Sequence, residues 1–434
     1  MQITTMKTLQ KTLAMAATVL AVAANADVSV EDVKCTPRYP WNGLVDIEYT
    51  IGCDDPEAEI YVNPVGFNGD TGLTVFPTHF TGDGATNTVK AGKHTMVWDA
   101  KADLGNLFSS KNFKIKIYAG KKLSRYIVID IAGGTNATEY AIRHSIEGPN
   151  LADDTCRTTE IWMRLIPPGT FMMGSPEDEL RRESDEGLHK VTLTMPYYMG
   201  VFEVTQHQWM LVKGTLPSAY SGIDADTRPV ENVSYNMVKC EHKNDYYGSL
   251  KVHLNMNDVS EDSFLGKLRR KTGCVGFDLP TEAQWEYACR TGVSGAKYDG
   301  RGLTGVTGDK ELESMCHFVM NGNGKPACVG SYIPNVYGLY DMLGNVREMC
   351  REEKYSYETG YVIDPEHYWT LAYSGNYLVI RGGGWNSRAR ECRSADRNSW
   401  TFFWARDDAP TQVNEYYCSS DIGFRLMASG SLQD

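Results

Sequence analysis

From Val28 to about Ile131 apolar and polar residues alternate in short runs: Val45-Asp46-Ile47-Glu48-Tyr49-Thr50-Ile51, His94-Thr95-Met96-Val97-Trp98 and Phe113-Lys114-Ile115-Lys116-Ile117-Tyr118. A period of two places one face of each run in a core and the other in water, which is the pattern of antiparallel strands. With Gly, Asp and Pro clusters between the runs, it predicts a small β-sandwich over residues 27–131. His79 and His94 lie apart, with no carboxylate or cysteine at metal-ligand spacing. The domain therefore reads as a spacer or docking surface.

Residues 132–157 are turn-rich and read as a linker. From 158 to 429 the pattern changes: Gly and Trp recur irregularly and helical periodicity is scarce. Two helices are predicted, Glu203 to Val212 and Thr281 to Thr291, the second opened by Thr281 as cap and Glu282 in the first turn. Little else is expected to be regular, and 430–434 form a tail. Ahead of both domains, Lys7 and Lys11 precede an apolar run from Leu13 to Ala24 that ends at Ala24-Asn25-Ala26. That tripartite order predicts a signal peptide over 1–26 and an exported protein, periplasmic, cell-surface or secreted. The run is too short to span a bilayer, and no later stretch approaches the required length, so no membrane span is expected.

The charge narrows the partners. A net charge of -12 leaves no dense basic stripe to neutralise phosphates, so a nucleic-acid partner is excluded in favour of a protein, small-molecule or glycan ligand. Eleven cysteines in an oxidising compartment can pair, with Cys35–Cys53 and Cys316–Cys328 as candidates, and the odd count leaves one thiol over within a monomer. Cys240-Glu241-His242 has no second ligand pair at zinc-finger spacing and reads as structural.

The second domain carries an ordered series of segments: Ile166-Pro167-Pro168-Gly169-Thr170-Phe171-Met172-Met173-Gly174-Ser175, Phe202-Glu203-Val204-Thr205-Gln206, Arg228-Pro229-Val230-Glu231-Asn232-Val233-Ser234, Leu279-Pro280-Thr281-Glu282-Ala283-Gln284-Trp285-Glu286-Tyr287-Ala288, Gly338 to Glu348, Arg381-Gly382-Gly383-Gly384-Trp385 and Ile422-Gly423-Phe424-Arg425. This series resembles the formylglycine-generating enzyme and sulfatase-modifying factor family. The resemblance covers about Thr158 to Ser429 and implies for that part a C-type-lectin-like fold poor in regular structure; with the N-terminal antiparallel β-sandwich read from the alternation, the expected fold class is α+β. The resemblance also implies a chemistry. Oxidase members convert a cysteine of a sulfatase precursor to formylglycine, using oxygen and copper held by two cysteine thiolates, soft ligands suited to Cu(I).

Registered on its glycines, this chain has Ser387 at the first of those cysteines and Cys392 at the second. A register on Arg393-Ser394-Ala395-Asp396-Arg397 moves Cys392 out of place as well. On either, the first thiolate is missing, so copper is in question, with Ser387 and Cys392 the candidate catalytic positions and Cys418 a possible substitute sulfur. The family's calcium ligands correspond to Asp341, Gly344, Val346 and Glu348, hard oxygen donors on a tight turn. Calcium is therefore expected as a structural cofactor. His317 stands where a second calcium site has asparagine, and Arg347 and Met349 where tryptophans are usual. The β-rich N-terminal domain is not the histidine-bearing helical domain that iron-dependent relatives need.

Between Trp385 and Asp421 aromatic, Arg and Asn residues crowd, among them Trp385, Asn386, Arg388, Arg390, Trp400, Trp404 and Tyr417. Rigid aromatic area beside polar donors is the chemistry of a binding surface. Two readings follow: an exported binding or interaction module, or an oxidoreductase acting on a cysteine of a sulfatase-like partner, with Cys392 as its surviving thiol.

Overall fold

A computed structural model describes residues 28–105, 112–239, 259–357, 360–366, 377–401 and 418–429. The proposed signal peptide, Cys240-Glu241-His242, Trp404, Tyr417 and the tail lie outside these residues. The chain divides into two compact units: Met1–Arg125 with His144–Glu147 and Pro167–Phe171, and Tyr126–Arg143 with Gly148–Ile166 and Met172–Asp434. Among the described residues no helix is long and apolar enough to cross a membrane.

In the first unit the alternating runs become strands at Leu44–Cys53, Gly92–Asp99 and Phe113–Gly120. Leu44–Cys53 lies between Val28–Pro37 and Gly92–Asp99, and Phe80–Gly82 closes that sheet. Tyr61–Asn68 pairs with Phe113–Gly120 on one side and Leu73–Val75 on the other to form a second antiparallel sheet. Val45, Ile47, Tyr49 and Ile51 point inward with Met96 and Trp98, and the Trp98 ring stacks on Phe113 at 5.4 Å. The strand register corrects one expectation. Val28 faces Cys53 and Cys35 faces Ile47, so Cys35 and Cys53 sit at opposite ends of the strand pair, beyond the reach of a disulfide.

The second unit has short elements joined by long loops. One antiparallel sheet runs in the order Phe277–Asp278, Met427–Ser429, Tyr197–Gly200, Glu160–Ile166, Tyr126–Asp130. Tyr126–Asp130, which the alternation assigns to the sandwich, thus pairs in this unit instead. A second sheet orders Asn398–Thr401, Tyr377–Arg381, Arg347–Glu353 and Ile422–Gly423.

Both predicted helices form, at Gln206–Lys213 and Glu282–Arg290, each opened by a threonine and a glutamine three residues on in a reciprocal capping box. The first begins later than the periodicity suggests because Thr205 is the cap. Glu203, just upstream, is fully buried. Phe264–Thr272 is a helix the periodicity does not indicate, although Ser263 caps its start and Gly273 ends it in the left-handed region at φ 69°.

Charged side chains fill much of this interior. Arg381 is fully buried, ion-paired with Glu286, and donates to the carbonyls of Ser394, Ala395 and Asp396 at 2.7–3.0 Å. Arg290 reaches the other oxygen of Glu286 at 2.7 Å, Arg397 forks onto Glu282 at 2.7 and 2.8 Å, and Arg393 forks onto Glu186 at 2.6 and 2.8 Å. The Arg381 and Arg397 pairs tie the helix Glu282–Arg290 to the loop after Arg381, which carries the candidate site.

Candidate functional site

The strand Tyr377–Arg381 ends in Gly382 and Gly383, both at positive φ. A Cβ at Gly383 would lie 2.6 Å from the Cys392 sulfur and 2.7 Å from the Glu391 carbonyl, so only glycine lets the loop fold back this tightly. Ser387 is buried inside the loop. Its Oγ accepts hydrogen bonds from the Gly384 N–H and from the Arg347 guanidinium, both at 3.0 Å. Arg347 is also ion-paired with Asp421 at 3.3 Å. The candidate first position is thus a hydroxyl held beside a fixed positive charge.

Cys392 is fully buried and neighbours Cys316: their sulfurs lie against Gly383 and Gly344, and the Gly344 N–H donates to the Gly382 carbonyl at 2.8 Å. Burial and then this neighbouring thiol push the Cys316 pKa well above its ordinary range. Cys328 instead lies 3.8 Å from Asp224, so the expected pairing of Cys316 with Cys328 is replaced by the neighbouring Cys392. Cys316 is a site neighbour that sequence reasoning did not find. Cys418 is of intermediate exposure.

Outward from the loop, Asn386 and Arg388 are exposed, while Trp385, Arg390 and Trp400 are half-buried. The Trp385 indole N–H donates to the Ser420 carbonyl at 2.9 Å, and its ring meets Tyr220 edge-on at 5.6 Å. Trp385 is therefore fixed in orientation with part of its ring in solvent.

The turn from Asp341 to Glu348 lies directly beneath. Asp341, Gly344 and Asn345 all have positive φ, and a Cβ at Gly344 would sit 2.4 Å from the His317 carbonyl and 2.5 Å from the Cys316 sulfur. Asp341 is buried: its Oδ2 accepts the Gly330 N–H at 2.7 Å, its Oδ1 has no hydrogen-bond partner, and burial pushes its pKa up to about 6. Glu348 is differently placed. Both its oxygens are taken, by the Arg425 guanidinium at 2.7–3.1 Å and by the Trp285 indole at 2.7 Å. The Val346 N–H and the Asn345 amide donate to Glu203 at 3.0 and 2.6 Å. Glu203 and Arg425, which organise this turn, lie within the quoted motifs but were not singled out. Among the described residues no three His, Cys, Asp or Glu side chains converge as a metal cluster.

The sulfatase-modifying factor enzyme 1-like domain matches residues 149–428, well over half of the chain. The chain belongs to the sulfatase-modifying factor family. The chaperone protein LppX of Paenibacillus barcinonensis is 32% identical over 217 residues, covering 45% of this chain and 71% of that protein. The formylglycine-generating enzyme of Streptomyces coelicolor is 32% identical over 163 residues, covering 35% of this chain and 47% of the enzyme. The serine/threonine-protein kinase pkn1 of Chlamydia pneumoniae is 37% identical over 153 residues, 34% of this chain and only 22% of the kinase. Among solved structures, Treponema denticola variable protein 1 aligns at a TM-score of 0.45 and 25% identity, covering 62% of this chain and 96% of that one. The expected α+β architecture, a β-sandwich unit from the alternating runs and a loop-rich unit from the family resemblance, is the one observed.

Proposed function

We propose that this protein is an exported binding module of the sulfatase-modifying factor family, that it does not use the family's copper chemistry, and that its ligand is a partner protein. The observation that carries the reading is Ser387 under Arg347. Where a Cu(I) site needs a thiolate, this chain offers a hydroxyl already accepting two hydrogen bonds, with a guanidinium 3.0 Å away to repel any cation. The residues present at 387 do not fit copper.

For calcium the fit is partial. Asp341 keeps one buried carboxylate oxygen unpartnered, as a hard cation requires. Glu348 offers none, because Arg425 and Trp285 hold both oxygens. Glu348 is therefore not carried forward as a ligand, and no step of the proposal depends on the ion.

The binding face consists of exposed Asn386 and Arg388, flanked by half-buried Trp385 and Arg390, on a loop anchored by the buried arginines behind it. A fixed aromatic edge next to exposed cationic and amide groups suits a protein surface, because little side-chain entropy is lost on contact. That a relative sharing 71% of its length with this chain is called a chaperone is consistent with a protein partner.

The competing reading, oxidation of a cysteine in a sulfatase-like partner, has one observation in its favour: Cys316 brings a second sulfur to Cys392. Copper(I) titration of the mature protein, followed by mass spectrometry of a sulfatase-type cysteine peptide incubated with it and oxygen, separates the two. The binding reading expects no one-to-one copper complex and an unchanged peptide; tight copper binding with conversion to formylglycine overturns it. For a partner recovered by cross-linking, Trp385→Ala with Arg388→Ala is expected to weaken binding at least about tenfold, the size of a modest hot-spot pair. Cys392→Ala is expected to leave it intact.

A further inference from the structure

We propose that Cys316 and Cys392 are an oxidisable pair that closes into a buried disulfide, tying the loop of the binding face to the loop around Cys316. Both are fully buried free thiols on neighbouring loops, and the Cys392 thiol acts on Cys316 electrostatically. Their loops are also joined by backbone hydrogen bonds. The Val319 N–H donates to the Ser387 carbonyl at 2.9 Å, and between them the Gly344 N–H reaches the Gly382 carbonyl at 2.8 Å and the Asn345 N–H the His317 carbonyl at 2.7 Å. Each sulfur rests against a glycine, Cys316 on Gly344 and Cys392 on Gly383, at places where any side chain would collide with it. Two positive-φ glycines thus make the space in which the sulfurs meet.

Buried chemistry favours a disulfide over a metal thiolate here. A disulfide is neutral and sits in an interior without cost in charge solvation, whereas thiolates in this position would be desolvated and would face the Asp341 carboxyl. The bond forms before the pair is covered, by exchange with a protein or small-molecule disulfide. The Cys392 thiolate attacks one sulfur of that oxidant and expels the other as a thiolate. The Cys316 thiolate then attacks the Cys392 sulfur of this mixed disulfide, the new S–S bond forms, and the oxidant's remaining sulfur leaves as a second thiolate. Two cysteines are oxidised, one disulfide is reduced, and the two protons the cysteines give up end on the oxidant's thiols or in water.

The bond has two consequences. It closes a loop of roughly 75 residues, long enough for a substantial effect on the unfolded chain. It also occupies the sulfur of Cys392, leaving no thiolate there for a metal. Its physiological formation rests on the exported reading, but its chemistry does not, so the test supplies its own oxidant.

Denatured, reduced protein is refolded in a buffer of reduced and oxidised glutathione, remaining thiols are blocked with N-ethylmaleimide, and the unreduced digest is read by mass spectrometry. The expected product is one linked pair of peptides, containing Cys316 and Cys392, two hydrogens lighter than their sum. Cys316→Ser and Cys392→Ser are each expected to lower Tm by about 10 °C, the double variant by no more than either single one, and dithiothreitol to lower the wild type alike. Recovery of both cysteines as maleimide adducts, linkage of either to another cysteine, or a one-to-one Cu(I) complex of the folded protein with both thiols reduced overturns the proposal. The digest of the wild type decides the matter even where a variant fails to fold. Failure of the link leaves the export reading untouched, since that is tested separately by whether the mature protein begins at Asp27.

Discussion

Inside the N-terminal unit the contacts are between carbon atoms: Val30, Val45, Ile47, Ile51, Met96, Trp98 and Phe113 meet across two antiparallel sheets. Inside the C-terminal unit Arg290, Arg381, Arg393 and Arg425 are buried and each is matched to a buried carboxylate of Glu286, Glu186 or Glu348. The first interior needs only complementary volume. The second needs partners in fixed directions, and a guanidinium has enough donors to hold several loop carbonyls at once, as Arg381 holds those of Ser394, Ala395 and Asp396. Loops without regular structure are thereby given defined positions, which a surface for a specific partner requires.

The sharpest way to break this comparison is Arg381→Met. It keeps the length and apolar stem but takes one guanidinium from Glu286 and Glu282, which retain Arg290 and Arg397, and removes the donor that Arg381 supplies to three loop carbonyls. Loss of one partner from a buried pair costs about 3–5 kcal/mol, so the urea-unfolding transition of the C-terminal unit is expected to move by that amount. A shift below about 1 kcal/mol would mean the buried charges are dispensable there and that the two interiors are built alike.

A second effect separates the units by pH. Burial first, and then the nearby Glu282 carboxylate, push Glu352 from an ordinary value of 4.5 up to about 8, against the pull of Arg351 and Arg397. Its Oε2 accepts the Glu282 N–H at 3.1 Å while Oε1 has no partner. A carboxyl whose pKa is raised on folding binds its proton more tightly in the folded state. The stability it contributes is complete below the unfolded value and is lost as pH rises through the folded one. Thermal stability of the C-terminal unit is therefore expected to fall between about pH 5 and 8 from this group, and Glu352→Gln to flatten that fall and to melt higher than wild type at pH 9. Parallel Tm profiles for the two proteins would remove Glu352 as its cause.

The same contrast explains what was legible in the sequence. Strict alternation exposes the strands Leu44–Cys53 and Gly92–Asp99, because a half-buried strand writes its core face at every second residue. Caps are local too, so Thr281 announces its helix, whereas Thr205 goes unread and the other helix is placed from Glu203 instead of Gln206. The architecture of the second unit is readable only through the ordered motif segments, since Glu286, Arg381 and Arg425 follow no period and charged residues read as surface. Within the site, Ser387 is visible as a departure from the family's cysteine, but its partner Arg347 lies 40 positions away in sequence and needs the fold to bring it there. Cys316 and Cys328 stand in the sequence only as candidate partners, because pairing is not written in the spacing. The turn at Gly344 carries Cys316 to Cys392.

The smallest expected effect tests the carbon side of the comparison. Ile47 is fully buried between Cys35 on one neighbouring strand and Met96 on the other, and no charged group is needed to hold it. Ile47→Val removes one methylene, which costs about 1 kcal/mol in lost transfer energy and residual cavity, because a packed interior relaxes only in part. The loss is expected to be equal at pH 6 and pH 9, since apolar burial does not change with protonation. Urea denaturation of the N-terminal transition at both values reads it. A cost that grows with pH would show that the sandwich interior is coupled to a titrating group, and the division between an interior of volume and an interior of charge would fail at the residue where it is simplest.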